Sequence, residues 1–541
     1  MSEEAFDYVV VGGGSAGCVV ANRLSEDGTK RVLLLEAGPR HNSVILDMPA
    51  ALGLPLESTK FNWGFKSEPE PGLNGTVSDQ HRGRVLGGSS SINGMVFVRG
   101  NPADYDNWAR LGNPKWSYAH CLPYFRKMET FEGGADDYRG GDGPLHVHRC
   151  KADNPLYRAF IAAARQYGLP FNPDQNGRDQ EGVNLAQAST YKGVRWSTAR
   201  AYIDPARGRR NLVVRTGAQV TGLSFDGTRA TGVEYELRGR KCRAMAGAEV
   251  ILCAGAFGSP QLLMLAGIGD AQELGELGIP VRQHLPGVGK DLQDHVAVAI
   301  QYSTESRTAS PTRQLSMIGR LVLGIKWLFL RKGLGTSNYF EVGAFFRGND
   351  AVEYANLQHE FFPMVGEFYR GEARISPGFQ YFTSVMRPES RGSVTLRSAD
   401  PKAAPVIRMN FLTAPEDLRQ LREGVRKTRE MIAQPAWDEL RGEELSPGSR
   451  IQSDEDLDAW IRANAGTGYH AVSTCRMGTD EMAVVDEDGR VHGMQNLRVV
   501  DASVFPKLIT GNTNAPTIML AEKLSDHILG KMCAPQSPAC C

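Results

Sequence analysis

Short apolar runs separated by a glycine-rich turn open the chain and predict a parallel α/β unit. Residues 6–11, FDYVVV, are apolar and rich in β-branched side chains, which is typical of a buried parallel strand. A helix-like segment follows at 18–26, CVVANRLSE, and a second apolar run follows at 31–38, RVLLLEAG. The order of strand, helix and strand predicts a βαβ unit.

The turn between the first run and the helix carries Gly12, Gly14 and Gly17 in G-x-G-x-x-G spacing. In this pattern the first glycine permits a tight turn, the second lets a pyrophosphate approach the backbone, and the third lets the helix pack on the strand. Glu36 ends the second run, 19 residues after Gly17, where an acidic side chain can bind ribose hydroxyls. These features predict a Rossmann dinucleotide site, although a Rossmann unit alone does not separate NAD from FAD.

A second glycine- and serine-rich loop lies at 83–100, GRVLGGSSSINGMVFVRG. Its Gly87-Gly88 doublet and the serines at 89–91 offer bare N–H groups and hydroxyls. On spacing alone, a plain Gly/Ser turn is the simpler explanation. Its closeness to the first loop instead indicates a ligand that extends beyond the phosphates.

Periodicity divides the remainder into two patterns. Strand-like runs lie at 211–216, 230–237 and 249–255, and a helix follows the last of them with Ser259 as its predicted cap and Pro260 as its first residue. Between about 300 and 465, apolar and aromatic stretches alternate with turns and predict an antiparallel sheet, at 339–346, 357–365 and 379–386. Residues 416–434 form an amphipathic helix pattern, and 515–529 predict a helix with Asn514 as its N-cap.

No apolar run reaches the length of about 18 residues that a membrane span needs. The nearest approach, 317–330, is interrupted by Arg320 and Lys326. We interpret it as a helix that faces the core, and the alternative is an amphipathic helix lying on a membrane. On that alternative, the protein would contact the inner face of the membrane peripherally.

Composition narrows the class of protein. The 541 residues exceed what one core commonly supports, so we expect two lobes. Lys+Arg and Asp+Glu are balanced at 61 each, which offers no excess charge for nucleic acid. The nine cysteines show no C-x-x-C pair and no zinc spacing, which predicts no metal site and a reduced cytoplasmic setting. Cys533, Cys540 and Cys541 lie in a tail that we interpret as a frayed terminus, with a thiol link or lipid anchor as the alternative.

Four long motifs resemble the glucose–methanol–choline (GMC) oxidoreductases, within the choline-dehydrogenase-like branch of that family. They are GRVLGGSSSINGMVFVRGNPADYDNWA (83–109), GAFGSPQLLMLAGIG (255–269, with Ala266 where serine is usual), NLRVVDASVFP (496–506) and GNTNAPTIMLAEKLSDHI (511–528). The resemblance implies an α/β fold with a Rossmann-type FAD-binding lobe and an α+β substrate lobe containing an antiparallel sheet. It divides the chain into an FAD lobe (1–160, 195–300 and 466–541) and a substrate lobe (301–465), with 161–194 linking them.

The motifs and the resemblance together predict the residues that contact FAD. They are Gly12, Gly14, Ser15, Ala16, Gly17, Glu36, Ala37, Trp63, Arg84, Gly87, Gly88, Ser89, Asn93, Gly94, Met95, Val96, Val220, Ala254, Gly255, Asp501, Ala502, Asn512, Thr513 and Asn514. Some oxidases of the family attach FAD through a histidine just after the glycine-serine loop. Ile92 occupies the matching position and cannot form that bond, so we expect non-covalent FAD.

The resemblance also places a catalytic pair. A histidine at the position of His470 stands over the reactive face of the flavin in the family, and its partner, a His or Asn, matches Asn512. An imidazole, with an unperturbed pKa near ~6.5, can accept the proton of an alcohol at neutral pH. The Asn512 amide can donate a hydrogen bond to the developing alkoxide, and flavin N5 takes the hydride. The sequence therefore predicts FAD-dependent oxidation of a small alcohol to an aldehyde or ketone.

Several alternatives remain open at this point. Electrons pass to a quinone or similar acceptor in the leading hypothesis, and to O2 with formation of H2O2 in the second. A hydroxynitrile lyase and a non-catalytic flavin protein are further alternatives. Choline-binding relatives hold a trimethylammonium with aromatic and acidic groups. Phe361, Phe362 and His359 are the predicted pocket residues, with Glu360 and Tyr381 nearby, although aromatic side chains in a sheet more often belong to the core. AVST follows His470 where choline dehydrogenases typically have a proline, so aliphatic, aromatic and polyol alcohols are equally open.

Overall fold

Two sheets, each with its own hydrophobic core, organise the chain. The computed structural model describes residues 3–304, 306, 308–369 and 372–536. Cys540 and Cys541 of the predicted C-terminal tail lie outside the described residues. Cys533 is exposed, and most of the other described cysteines are buried. None of the described cysteines forms a disulfide.

The first sheet is the predicted Rossmann unit extended on both sides. Within the described residues, its strands follow the spatial order Leu212–Thr216, Val32–Glu36, Glu3–Val11, Arg240–Leu252, Arg229–Leu237 and Ala218–Asp226, and Leu497–Val499 also pairs with Arg240–Leu252. The central pairs are parallel, while the two long strands at one side run antiparallel. Every residue of Val32–Glu36 is buried, which explains its continuous apolar pattern.

The second sheet is antiparallel, as predicted for the middle of the chain. Its strands follow the order Glu444–Ser446, Val296–Ser303, Gly378–Val385, Leu357–Phe362, Val342–Phe346 and Gly182–Leu185, and Gly466–Thr467 also pairs with Val296–Ser303. Buried and half-buried residues alternate along Val296–Ser303, because successive side chains point to opposite faces. This alternation decides which side chains of the sheet face the cavity described below.

Sheet membership shifts the predicted boundaries of the lobes. Gly182–Leu185, Val296–Ser303 and Gly466–Thr467 belong to the antiparallel sheet, although the sequence assigned them to the linking segment and to the FAD lobe. All three are antiparallel strands at or beside the edge of a sheet whose other members come from 301–465. We therefore keep the two-lobe division as a proposal and add these strands to the substrate lobe.

Helices and small sheets cover the two main sheets. The α-helices of the described residues are Ser15–Leu24, Val44–Asp47, Pro102–Arg110, Tyr118–Met128, Pro155–Gln166, Asp204–Ala206, Gly255–Leu265, Ala271–Glu276, Met317–Leu330, Pro415–Ile432, Asp454–Asn464 and Asn514–Ile528. The remaining strands pair as Phe65–Lys66 with Asp79–Gln80, Glu129–Phe131 with Leu145–Arg149, Leu145–Arg149 with Gln187–Ala188, Thr190–Tyr191 with Val194–Arg195, Ile268–Gly269 with Gln283–His284, Val365–Tyr369 with Glu372–Ser376, and Ser393–Thr395 with Val406–Arg408. Helices Ser15–Leu24 and Asn514–Ile528 pack on each other beside the first sheet.

Two predicted helix starts are wrong. The helix of the second GMC motif begins at Gly255 rather than Pro260, and the Ser259 hydroxyl donates to Asp501 Oδ2 (2.6 Å) instead of capping the helix. The last helix begins with Asn514 itself, and Thr513 holds the N-cap position. The Asn514 side chain is engaged elsewhere, because its Oδ1 accepts from the Ser15 hydroxyl (2.7 Å). A long-range partner competes for each side chain, and a local capping rule does not include such partners.

The helix Met317–Leu330, which we call the exposed helix, does not face the core as the sequence analysis expected. Trp327 is its buried residue, and most of its apolar side chains are exposed. Sequence periodicity shows that a helix has an apolar face but not what that face meets. Of the helices in the described residues, none combines the length and apolar character required to cross a membrane.

Candidate active site

A cavity of about 540 Å³ lies where the two glycine-rich loops of the first sheet meet strands of the second. Its volume lies within the range of about 300–1,000 Å³ that is typical of small-molecule and cofactor sites. Residues from both ends of the chain line it, from Val11 to Thr517. The cavity therefore depends on the folded arrangement of segments distant in sequence.

The first glycine-rich loop forms one wall of the cavity by close backbone packing. Gly12 adopts φ +100°, and a Cβ there would lie 2.5 Å from the Cys253 carbonyl oxygen. A Cβ on Gly17 would collide with the Gly12 carbonyl, so the helix could not approach the strand. Gly14 lines the cavity and has no atom within 3.9 Å of its Cβ position. The three glycines thus perform the separate steric functions that their spacing predicts.

The carboxylate of Glu36 is buried at the end of its strand and lines the cavity. The Gly13 N–H donates to its Oε2 (2.9 Å), and the Gly38 N–H donates to its Oε1 (2.7 Å). Burial raises the pKa of Glu36 to about 7, while the two N–H groups act in the opposite direction. The glycine turn and the acid are therefore one hydrogen-bonded unit.

The second glycine-rich loop touches the first. A Cβ on Gly88 would lie 2.6 Å from Gly14 Cα, so the two loops contact each other through glycines. Asn93 is fixed beside them, because its Oδ1 accepts from the Met95 N–H (3.0 Å) and from Arg195 Nη1 (2.9 Å). The loop is therefore part of the cavity wall and not a separate surface turn.

Most of the predicted cofactor residues line this cavity. They are Gly12, Gly14, Ser15, Ala16, Glu36, Ala37, Trp63, Gly88, Ser89, Asn93, Gly94, Met95, Val96, Val220, Ala254, Gly255, Asp501, Ala502, Asn512, Thr513 and Asn514. Gly17, Arg84 and Gly87 lie behind the lining. Gly17 supports the helix and Gly87 (φ +92°) supports the turn, while the Arg84 guanidinium lies 5.1 Å from the centroid of the Trp63 ring.

The predicted catalytic residues meet in the same cavity. His470 Nε2 and Asn512 Nδ2 are 3.1 Å apart, although the residues are 42 positions apart in the chain. The backbone N–H of His470 donates to Asp294 Oδ1 (2.7 Å), and the Thr467 hydroxyl donates to Asp294 Oδ2 (2.5 Å). Asp294 is buried, and burial raises its pKa to about 6. This carboxylate fixes the loop that carries His470.

A second histidine, His295, determines which nitrogen of His470 carries the proton. His295 Nε2 faces the carbonyl oxygens of Ile509 (3.0 Å) and Met386 (3.1 Å), so it must donate. Neutral His295 then accepts at Nδ1, and His470 Nδ1, 2.9 Å away, donates to it. This assignment leaves a lone pair on His470 Nε2, in agreement with the amide donor of Asn512 that faces it.

Both histidines are neutral at physiological pH. Burial, with the neighbouring His295 and Arg82, lowers the pKa of His470 well below its ordinary value. Burial also lowers the pKa of His295 to about 4. The Nε2 lone pair of His470 is therefore available as a base across the neutral pH range.

Glu360 is the acidic member of the site. The Asn512 amide donates one N–H to Glu360 Oε1 (3.1 Å) and its second N–H to His470 Nε2. Gln358 Nε2 lies 3.5 Å from Asn512 Oδ1, which is consistent with this orientation of the amide. Burial raises the pKa of Glu360, and the bond from Asn512 opposes that rise. Three side chains from three segments thus converge at one end of the cavity.

The predicted substrate-pocket residues need correction. His359 and Phe361 lie on the opposite face of their strand from Glu360, because side chains alternate in a strand. His359 is fully buried and its Nε2 contacts the Thr428 hydroxyl (2.8 Å), while Phe361 packs in the core with Tyr381. Phe362 is on the face of Glu360 but behind the lining, against Phe340 (centroids 5.3 Å apart). Phe340 itself lines the cavity, together with other aromatic residues such as Trp63 and Tyr469.

Several site residues were missed by sequence reasoning. They are Arg82, Asp294, His295, Phe340 and Tyr469. The glycine-punctuated segment LPGVGKDLQDH (285–295), which ends in these two residues, is the available signal for Asp294 and His295. No local pattern indicates that His295 pairs with a histidine 175 positions away.

Comparison with known proteins agrees with this architecture. Family models described as GMC oxidoreductase match residues 6–297 and 388–521. The chain belongs to the GMC oxidoreductase family. It is 48% identical to an oxygen-dependent choline dehydrogenase of Chromohalobacter salexigens over 98% of this chain and 96% of that protein. It is 46% identical to an oxygen-dependent choline dehydrogenase of Pseudomonas savastanoi pv. phaseolicola over 99% of this chain and 96% of that protein.

Solved structures of two oxidases share the fold over nearly the whole chain. Pyridoxine 4-oxidase from Mesorbium loti has a TM-score of 0.87 at 30% identity, with 96% of this chain and 98% of that chain covered. A formate oxidase has a TM-score of 0.91 at 25% identity, with 98% and 99% covered. Membership of this family makes the chain an FAD-dependent oxidoreductase that acts on CH–OH groups, which confirms the predicted fold class, cofactor and reaction class.

The residues of the cavity fit an FAD. Gly14 leaves open space at the cavity wall that a side chain would fill, and Glu36 stands at the ribose position of the motif. Asp501 closes the far wall, where its Oδ2 accepts from the Gly255 N–H (2.8 Å) and its Oδ1 from the Ser503 N–H (2.8 Å). FAD, when bound here, supplies a hydride acceptor at N5 of its isoalloxazine ring.

We expect FAD to be released when the protein is denatured. Ile92 lines the cavity and is packed with Leu46, Phe61 and Val85, so its position offers no nucleophile for a covalent bond. Acid precipitation followed by centrifugation should leave the yellow flavin in the supernatant. Flavin that stays with the pellet after acid and heat would instead show a covalent link formed by another residue.

Proposed function

We propose that the chain oxidises a small primary alcohol to its aldehyde, with His470 as the base and Asn512 as the hydrogen-bond donor to the alcohol oxygen. The observation that carries this proposal is the 3.1 Å pair of His470 Nε2 and Asn512 Nδ2 at one end of the FAD cavity. The amide and the imidazole lone pair offer one donor and one acceptor to a hydroxyl group.

The proton transfer follows from this arrangement. The alcohol hydroxyl replaces the hydrogen bond between Asn512 Nδ2 and His470 Nε2. It donates its proton to His470 Nε2, and the freed Asn512 N–H donates to the oxygen as negative charge develops there. His295 keeps the other ring nitrogen protonated and the ring in place. Loss of this proton prepares the carbinol carbon to give up a hydride as the carbon–oxygen double bond forms, and FAD, when bound in this cavity, would supply the acceptor.

Choline is the substrate that we propose to test first. The relatives named above are choline dehydrogenases at 46–48% identity, and Glu360 places a carboxyl group beside the catalytic pair. A trimethylammonium group would stabilise the ionised form of Glu360, and Trp63, Phe340 and Tyr469 line the cavity with aromatic faces. This support outweighs the AVST segment that follows His470.

A comparison of choline with its neutral isostere 3,3-dimethylbutan-1-ol tests whether choline is a substrate and whether Glu360 binds its cationic group. Anaerobic choline should bleach the flavin, and Glu360→Gln should raise the KM for choline by about tenfold or more, because it removes the charge that pairs with the ammonium. The KM for the isostere should change little. Choline affinity should also fall as the pH decreases through the raised pKa of Glu360, because protonation removes that charge.

Two outcomes would contradict parts of the proposal. Bleaching by a neutral alcohol but not by choline would retain alcohol oxidation and reject choline. Equal effects of Glu360→Gln on choline and the isostere would show that Glu360 acts through Asn512 rather than on the cation. Glu276→Gln, which removes a carboxylate from an exposed residue outside the cavity lining, serves as the matched control.

We propose a quinone as the electron acceptor, with O2 as the second candidate because the relatives are named oxygen-dependent. The balanced reaction with a quinone is alcohol plus quinone to aldehyde plus quinol, with two electrons and two protons transferred. Stopped-flow mixing of the reduced enzyme with air and with a water-soluble ubiquinone analogue separates the two. The faster return of the yellow flavin identifies the acceptor.

A further inference from the structure

The exposed helix carries an unusual share of the apolar surface of the molecule. Of the 18 large apolar residues that are exposed in the described part of the chain, eight lie in Met317–Leu330. They are Met317, Ile318, Leu321, Val322, Ile325, Leu328, Phe329 and Leu330. Exposure reaches 90% at Met317 and 76% at Phe329, so these side chains protrude from the surface. Monomeric soluble proteins rarely present so many contiguous apolar side chains to water.

All of these side chains except Leu330, the last residue of the helix, share one face. At about 100° per residue, the positions from Met317 to Phe329 occupy an arc of roughly 140°. Trp327 lies on the opposite side, where it is 1% exposed and its Nε1 donates to the Gly193 carbonyl (2.7 Å). The helix is therefore anchored by its inner face, and its apolar face is the one turned outward.

Positive charge surrounds this face. Residues 306–340 contain no Asp or Glu and six Lys or Arg, in a chain whose total charges balance at 61 each. Arg320 and Lys326 border the apolar arc on its two sides, and Arg331 and Lys332 follow its end. All four are exposed. An outward apolar stripe with a basic border matches an interfacial helix and the anionic headgroups of a lipid bilayer.

We propose that the exposed helix docks this protein on the surface of an anionic membrane, with its apolar side chains in the headgroup boundary and its basic residues on the lipid phosphates. The helix is too short to span a bilayer, so the protein lies on the membrane. A second copy fits this surface less well. A symmetric contact would place the same basic border against itself.

The docking surface is connected to the FAD cavity. The exposed helix packs on the turn Leu334–Thr336, which packs on the turn Pro49–Ala51. Leu52 and Leu56, directly after that second turn, line the cavity, as does Phe340 on the other side. Docking would therefore hold this part of the cavity wall close to the lipid. On the proposed function, this placement suits a lipid-soluble quinone acceptor.

Vesicle sedimentation with the FAD-loaded full chain tests the docking. The protein should sediment with vesicles of phosphatidylcholine and phosphatidylglycerol, bind less to phosphatidylcholine alone, and be released by high salt. The variant Leu321→Ser/Ile325→Ser/Phe329→Ser should lose about tenfold or more of its vesicle affinity. The matched control is Val281→Ser/Leu445→Ser/Met482→Ser, which changes three exposed apolar residues elsewhere and should bind as the wild type does.

Flavin bleaching by alcohol, measured in the same samples, separates this proposal from the proposed function. Both triple variants should bleach at the wild-type rate, because neither touches the catalytic residues. Equal sedimentation of the wild type and the exposed-helix variant would overturn the docking. A second result would also overturn it: the wild type does not bind vesicles but is a dimer in analytical ultracentrifugation, and the exposed-helix variant is a monomer.

Discussion

Replacing His470 by alanine should slow anaerobic flavin reduction by alcohol about 10²–10⁴-fold, the range typical of a lost general base. The reason is specific to the geometry, because the Nε2 lone pair of His470 is directed at the Asn512 amide in the cavity. FAD should remain bound, since the glycine cradle is untouched. Stopped-flow measurement of flavin bleaching gives the rate.

The pH dependence adds a second readout to the His470 prediction. The pKa of His470 is held well below its ordinary value by burial, so the folded enzyme keeps it neutral as the pH falls through the normal histidine range. The wild-type rate should therefore lose its base only below that range. In His470→Ala the limb due to this base should disappear, and added imidazole should restore part of the rate.

His284→Ala provides the control for the His470 variant. His284 is exposed, and its Nδ1 accepts from the Ala271 N–H at a distance from the cavity. Its replacement should leave the bleaching rate unchanged. Unchanged bleaching in His470→Ala itself would remove His470 from the mechanism and leave the base to be found elsewhere.

The sequence predicts the FAD lobe well because its signals are local. Glycine spacing, a buried strand and a strand-end acid each have a steric or electrostatic reason within about 30 residues. The folded chain keeps these relations, as the bonds from Gly13 and Gly38 to Glu36 show. His470 and Asn512 are predicted from the family resemblance of their motifs and not from local signals, and both line the cavity.

The predictions fail where a contact with a residue distant in the sequence determines the position of a side chain. Residues 357–362 were expected to supply the pocket, but strand alternation alone does not say which face meets the cavity. Glu360 faces it, while His359 and Phe361 enter the core. The apolar period of 317–330 is correct, yet the same period fits a core, a partner or a lipid surface. The hydrogen bond between His295 and His470 cannot be predicted from local sequence, because the two residues are 175 positions apart.

The hydrogen-bond network makes Asn512 more than a single contact. Its amide nitrogen serves both His470 Nε2 (3.1 Å) and Glu360 Oε1 (3.1 Å), so the base and the acid are linked through one side chain. Removal of this amide changes the environment of both partners. Any effect of an Asn512 variant must therefore be divided between the alcohol oxygen, His470 and Glu360.

Asn512→Ala should slow flavin reduction about 10²–10³-fold, the usual effect of losing one donor to a developing oxyanion. The KM should change less than the rate, because the donor acts mainly on the charge that develops in the transition state. Steady-state and stopped-flow rates with the same alcohol give both values. Asn464→Ala, at the exposed end of helix Asp454–Asn464, is the matched control.

Two further variants assign the Asn512 effect. Glu360→Gln in the Asn512→Ala background removes the carboxylate that the first change leaves unpaired, so a large recovery of rate would trace the loss to Glu360 and contradict the oxyanion role. In His470→Ala/Asn512→Ala, the two losses should be less than multiplicative, because base and donor act on the same hydroxyl. Independent, fully multiplicative losses would show that the two side chains do not act on one substrate oxygen, although they lie in contact.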